Sequence, residues 1–279
     1  MRREIIPVVL VSAAVAVGFA GCRSAKFSRA RDVPVAPLAE IDAKRGVDLT
    51  EKREFVKDGY TLRYRLHQPA TLEPGTCHPL VLFLHGAGER GNDNTLTLIH
   101  GVVPICKYAM KHGDAFVIAP QCPNGKKWVN QDWSANTMVR PDSPSEEMAA
   151  VMALLEEFRG NPHVDPSRIT VTGISMGGFG TWDIVSRMPG VFAGMMPLCG
   201  GVDDSTASSY SDKSLGIRFV HGTADTAVDV GYSRRMDQAL TAVGKAHDYI
   251  ECPGVGHDCW TRAYATDDNL AWLFGNVRR

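Results

Sequence analysis

From residue 79 to the end, the chain alternates strongly apolar runs of strand length with amphipathic stretches of helix length, and this alternation limits its fold more than any other feature. The runs are PLVLFLHG (79–86), DAFVIAPQ (114–121), RITVTG (168–173), FAGMMPLCG (192–200), IRFVHG (217–222) and HDYIECPG (247–254). Segments this apolar suit strands buried on both faces, as in a parallel sheet. Helical patterns lie between them, at 95–112, 147–158, 177–188, 230–243 and 260–274. Strictly alternating elements predict one α/β domain with a mostly parallel, doubly wound sheet of about eight strands.

Two local signals refine this. REFVKDGYTLRYRLHQP alternates apolar and polar residues around Asp58-Gly59, which predicts an antiparallel hairpin at the N-terminal edge. Ser143-Pro144-Ser145-Glu146 predicts a helix start with Ser143 as N-cap, Pro144 in the first helical position and Glu146 closing a capping box. With 279 residues and 44% hydrophobic content the chain can bury a full core, and its net charge of -1 offers no field for nucleic acid.

The first 22 residues read separately. Arg2 and Arg3 precede an apolar stretch, Ile5 to Val17, and a small-residue exit ends at Cys22. This is the pattern of an export signal, and the stretch is short for a membrane span, which needs roughly 20 residues. Phe19-Ala20-Gly21-Cys22 resembles the bacterial lipoprotein signal, with Phe19 where leucine is usual. That resemblance implies lipidation of Cys22, a membrane anchor and residence in the cell envelope. Arg23 after the cysteine implies the outer membrane in that family's sorting logic; the alternative is a secreted or periplasmic product. The expected organisation is a signal over 1–22, a tether over 23–46 and a catalytic domain over 47–279.

Six further cysteines permit disulfides in an oxidising compartment, with no readable pairing; Cys252 and Cys259 bracket one loop. Cys-x-x-Cys and His-Glu-x-x-His spacings do not occur, so neither a metal nor another cofactor is expected.

In sheets of this kind the working residues follow the carboxyl ends of strands. Ser175 lies in Gly-Ile-Ser-Met-Gly-Gly, between the strand ITVTG and a helix, the setting of a nucleophile elbow. Asp225 ends HGTAD after IRFV, and His257 ends GVGH after DYIEC. The order Ser, Asp, His and the three positions predict a catalytic triad. His85-Gly86-Ala87 after the first long strand offers a backbone N–H at Ala87, which would join that of Met176 as an oxyanion hole.

Other residues compete for these roles. His85 and His221 could be the base but more readily serve the structure; Asp229 and Asp203 are alternative acids, with Asp229 also suited to capping the next helix. Glu89 and Arg90 could pair to order the oxyanion loop. The long segment 121–141 carries Trp128 and Trp133, and Trp133 is the candidate substrate contact.

Together LFLHGAGERGNDN, APQCP, DPSRITVTGISMGGFGTW and PGVGHDCW resemble α/β-hydrolases described as predicted peptidases or phospholipase/carboxylesterase-like proteins. These are related to the feruloyl and acetylxylan esterases of carbohydrate esterase family one. The resemblance spans roughly residues 50–279 and implies the triad Ser175, Asp225 and His257. It implies a small-molecule or polysaccharide ester as substrate, with a peptidase, or a non-catalytic binding protein on the same fold, as alternatives.

Overall fold

The computed structural model describes residues 46–133 and 137–279. The proposed signal, Cys22 and all but the last residue of the tether lie outside the described residues. Eight strands form one sheet: β1 (Glu51–Lys57), β2 (Tyr60–His67), β3 (His78–Leu84), β4 (Phe116–Gln121), β5 (Val164–Ile174), β6 (Gly194–Leu198), β7 (Gly216–Gly222) and β8 (Asp248–Cys252). Their order is β1-β2-β4-β3-β5-β6-β7-β8. The β1–β2 and β2–β4 pairs are antiparallel, whereas every pairing from β4 through β3 to β8 is parallel.

The N-terminal hairpin has the expected turn. Lys57 pairs with Tyr60, leaving Asp58 (φ 50°) and Gly59 (φ 82°) as a two-residue loop in the left-handed region. Such turns match the strand twist and favour Asp-Gly. Outer strand β1 is mostly exposed and charged, which blunts an edge that could otherwise pair with another chain.

Alternating residues of the central strands enter two different cores. Leu80, Leu82 and Leu84 of β3, with Phe116 and Ile118 of β4, meet helices α2 (Glu146–Arg159), α3 (Met176–Arg187) and α4 (Gly231–Ala242). Val81 and Phe83, with Val117 and Ala119, face α1 (Val102–Lys111), α5 (Trp260–Tyr264) and α6 (Asp267–Gly275). Burial on both sides is the physical reason these strands carry no polar alternation. The predicted C-terminal helix is two helices, broken at Ala265-Thr266. Among the described residues, no helix is long and apolar enough to cross a membrane.

The cap of α2 differs from the expected one. Ser145, not Ser143, is the N-cap: its Oγ accepts from the Met148 N–H at 3.0 Å and donates to the Trp128 carbonyl at 2.7 Å. Ser145 is buried, so this second bond selects it over the serine two residues earlier. Trp128 is fully buried, and its indole N–H donates to the His85 carbonyl at 3.0 Å. Arg187 on α3 donates to the carbonyls of Pro141, Asp142 and Ser143 and pairs with Asp183 at 2.8 Å. These contacts fasten both ends of the long β4–α2 connection to the domain.

Candidate active site

Ser175 stands between β5 and α3 with φ 51° and ψ -116°, a conformation that costs a non-glycine residue about 1–3 kcal/mol. Its surroundings enforce this turn. A β-carbon at Gly177 would lie 1.8 Å from the Leu84 carbonyl oxygen, and one at Gly173 would lie 2.4 Å from the Gly177 oxygen. Only glycine fits where strand β3, the turn and α3 pack backbone to backbone. The result presents the Ser175 hydroxyl at the carboxyl edge of the sheet.

Asp225 and His257 reach the same edge from the loops after β7 and β8. Ser175 Oγ lies 2.8 Å from His257 Nε2, and His257 Nδ1 lies 2.7 Å from Asp225 Oδ2. The network assigns the proton on Nδ1 to Asp225, leaving Nε2 to accept from the serine. Burial of the Asp225 carboxyl opposes its charge, yet donors from His221, His257, Val228 and Ala227 outweigh that cost and hold it well below the usual carboxylate range. Its side chain is fully inaccessible, while that of His257 is 25% exposed.

His221 contributes without touching the serine. Its Nε2–H points at the Val228 carbonyl (3.0 Å) and Asp225 Oδ2 (3.2 Å), and its Nδ1 accepts from Ser233 Oγ (2.8 Å). His85 is likewise committed to the framework. Its Nδ1–H donates to the Gly86 carbonyl at 2.6 Å, and its Nε2 accepts from the Cys122 N–H at 2.9 Å. Complete burial pushes its pKa down to about 4, so the ring is neutral. Because the Gly86 carbonyl turns toward His85, the trans peptide sends the Ala87 N–H to the opposite side. Met176 opens α3, so its N–H has no intrahelical acceptor. Ala87 and Met176 both line a cavity of 320 Å³ shared with Ser175 and His257.

The alternative acids lie elsewhere in the network. Asp229 accepts from the Gly231 N–H ahead of α4, and Asp203 from Ser205 and the Arg140 N–H. Glu89 and Arg90 both order the loop after β3, but not as a pair. Arg90 donates to the Ala87 carbonyl at 2.8 Å; the Glu89 carboxyl is held by backbone N–H groups within its own loop and faces His100 at 3.8 Å. Burial raises the Glu89 pKa despite His100.

Trp133 lines the cavity, 6.3 Å from Phe179 between ring centroids. Two further walls escaped the sequence reading. Phe179 lies on the first turn of α3, and Trp260 packs edge-on to the His257 ring at 5.2 Å. The signal for Trp260 was its place three residues after His257 in HDCW.

The described cysteines are free thiols, including Cys252 and Cys259. Cys199 touches Cys259, and burial followed by that contact pushes its thiol well above its ordinary pKa. Its sulfur lies within 4.8 Å of the ligand atoms of Asp225 and His257, the one such trio among the described residues. A protonated thiol and a carboxylate–imidazole pair already joined by a hydrogen bond make a poor metal site.

Comparison with known proteins agrees with this architecture. Residues 71–266 match the phospholipase/carboxylesterase family model. The protein named "Putative esterase NocK" from Nocardia uniformis subsp. tsuyamanensis is 29% identical over 180 residues, which span 63% of this chain and 48% of that one. The crystal structure of a thermostable esterase aligns with a TM-score of 0.76 and 32% identity, covering 83% of this chain and 64% of that one. A ferulic acid esterase aligns with a TM-score of 0.61 at 14% identity, covering 81% and 98%, and so shares the fold. This chain spans about half or less of the first curated relatives it matches. With the family model matching most of its length, and with this sheet order and elbow, the chain belongs to the phospholipase/carboxylesterase family of α/β-hydrolases.

Proposed function

We propose that the protein is an extracytoplasmic serine carboxylic-ester hydrolase working through an acyl-enzyme. The carrying observation is the relay of 2.8 and 2.7 Å from Ser175 through His257 to Asp225, opening on a cavity that also receives Ala87 and Met176. In this reading Ser175 Oγ attacks the ester carbonyl while His257 Nε2 takes its proton. The tetrahedral oxyanion sits on the N–H groups of Ala87 and Met176, each worth about 2.7–4 kcal/mol of barrier. Collapse breaks the bond to the alcohol oxygen, which receives the proton from His257. Water then repeats the sequence on the acyl-Ser175 ester, releasing the acid and restoring the serine.

Feruloyl, acetyl or similar esters of plant polysaccharide are the favoured substrates. Trp133, Phe179 and Trp260 give the cavity aromatic walls suited to a planar acyl group or a sugar ring. The ferulic acid esterase of similar fold supports the same reading. Lipidation at Cys22 would hold the enzyme at the cell envelope, on the outer membrane.

The test is a panel of p-nitrophenyl acetate, methyl ferulate, acetylated xylan and peptide p-nitroanilides, assayed with wild type and Ser175→Ala. Ester turnover lost in the variant supports the reading; turnover of peptides alone replaces it with a peptidase. Palmitate labelling sensitive to globomycin and abolished by Cys22→Ala supports the anchor, and an unlabelled secreted product refutes it.

A further inference from the structure

Two cations, Lys127 and Arg90, flank Trp133, which lines the cavity holding Ser175; Lys127 itself lines an adjoining pocket together with Asp132. Lys127 Nζ lies 4.4 Å from the centre of the Trp133 ring, and the Arg90 guanidinium carbon 6.0 Å from it. Both cations are half-buried, and both are held by neutral carbonyls. Lys127 donates to the Gln131 carbonyl at 2.8 Å; Arg90 donates to those of Ala87 at 2.8 Å and Lys126 at 3.3 Å. Their neighbour Lys126 meets Glu146 and Glu147 at 3.7 and 3.6 Å. Among the described residues, neither Lys127 nor Arg90 enters an ion pair, whereas most other arginines of the domain do. The indole N–H of Trp133 is buried and has no acceptor either.

Two cations outside any ion pair and an indole N–H without an acceptor, gathered at one residue of the cavity that holds Ser175, are complementary to an anion. The nearest carboxyl group of the oxyanion loop, Glu89, turns inward to its own backbone and His100. A lysine and an arginine fixed by carbonyls keep further N–H groups available, and their partial burial makes a contact there stronger than at an open surface.

Resting on the esterase reading above, we propose that Trp133, Lys127 and Arg90 form a subsite for a carboxylate carried by the ester substrate. A sugar ester bearing a uronic carboxylate has this chemistry on its alcohol side; a half-ester of a dicarboxylic acid has it on the acyl side. Both place an anion a few bonds from the scissile carbonyl, toward the two cations that flank Trp133 at the margin of the cavity holding Ser175.

The experiment compares the full chain with Lys127→Gln and Lys127→Arg on two matched pairs. The acyl pair is p-nitrophenyl hydrogen adipate and p-nitrophenyl hexanoate. The alcohol pair is 4-acetoxybenzoate and its methyl ester. The readout is the anionic-to-neutral ratio of kcat/KM within a pair. Lys127→Gln should lower that ratio about five- to tenfold in one pair, mainly through KM, while Lys127→Arg keeps it within about twofold. Raising ionic strength from 20 to 500 mM should lower the wild-type ratio in the same pair. Whichever pair responds identifies the side that carries the carboxylate. Ratios indifferent to Lys127→Gln and to salt in both pairs overturn the proposal. Failure of wild type to hydrolyse any of the four esters overturns instead the esterase reading beneath it.

Discussion

His221 Nε2 lies 3.2 Å from Asp225 Oδ2, the same oxygen that binds His257 Nδ1 at 2.7 Å. The carboxylate thus answers to two imidazoles, one facing the cleft and one fully buried.

Replacing the buried ring by His221→Phe removes one donor to that carboxylate while keeping the volume filled. A hydrogen bond to a charged group is worth about 1.5–3 kcal/mol, so kcat/KM on p-nitrophenyl acetate should fall tenfold or more. Stability should follow pH in a defined sense. Asp225, held below its ordinary pKa, contributes stability above the unfolded value of about 3.9 and loses it as pH falls through the lower folded value. The variant lacks part of that contribution. Its deficit in urea midpoint should be full at neutral pH and narrow below about pH 4.

Ser175 carries backbone strain as well as its hydroxyl. Ser175→Ala should lose activity by several orders of magnitude with little change in Tm, because alanine keeps the same unfavourable φ. Ser175→Gly should be equally inactive but more stable than Ser175→Ala by about 1 kcal/mol, read as a higher Tm.

Neutral His85 gives the domain an acid sensitivity of its own. Its pKa near 4 in the folded chain lies below the 6.5 of an unfolded one, so unfolding takes up a proton between those values. Stability should decline as pH falls from 6.5 to 4. His85→Asn should flatten that slope by close to one proton, measured from urea midpoints across the window.

Arg187→Met leaves Asp183 without its partner at a site where both side chains are less than a tenth exposed. Such a break costs about 3–5 kcal/mol. Burial already raises the Asp183 pKa although Arg187 opposes it, and losing the arginine raises it further. A carboxyl with a raised folded pKa favours the folded state as pH falls, so the deficit should be smaller at pH 5 than at pH 8.

Sequence and structure agree where chemistry is local. The two-sided burial of β3 and β4 was legible in their unbroken apolar runs, and the hairpin in Asp58-Gly59. Positions for Ser175, Asp225 and His257 followed from strand ends, but the distances between them come from sheet register and long-range packing. The same limit explains the misassigned cap. Ser143 and Ser145 have equal local claims, and the Trp128 carbonyl, 17 residues from Ser145, decides between them. Likewise, Glu89 and Arg90 are neighbours in sequence, yet the turn sends their side chains to different partners. Trp260 and Phe179 became walls only when separate helices met at the serine.

The fastening of the β4–α2 connection sets how far a change at Trp133 can spread. Trp128 at one end, and Arg187 with Ser145 at the other, secure the segment through contacts that do not involve the serine, the histidine or the acid. Trp133 sits between these moorings. A substitution at Trp133 should therefore reshape the cavity wall while leaving the Ser175–His257 and His257–Asp225 distances as they are.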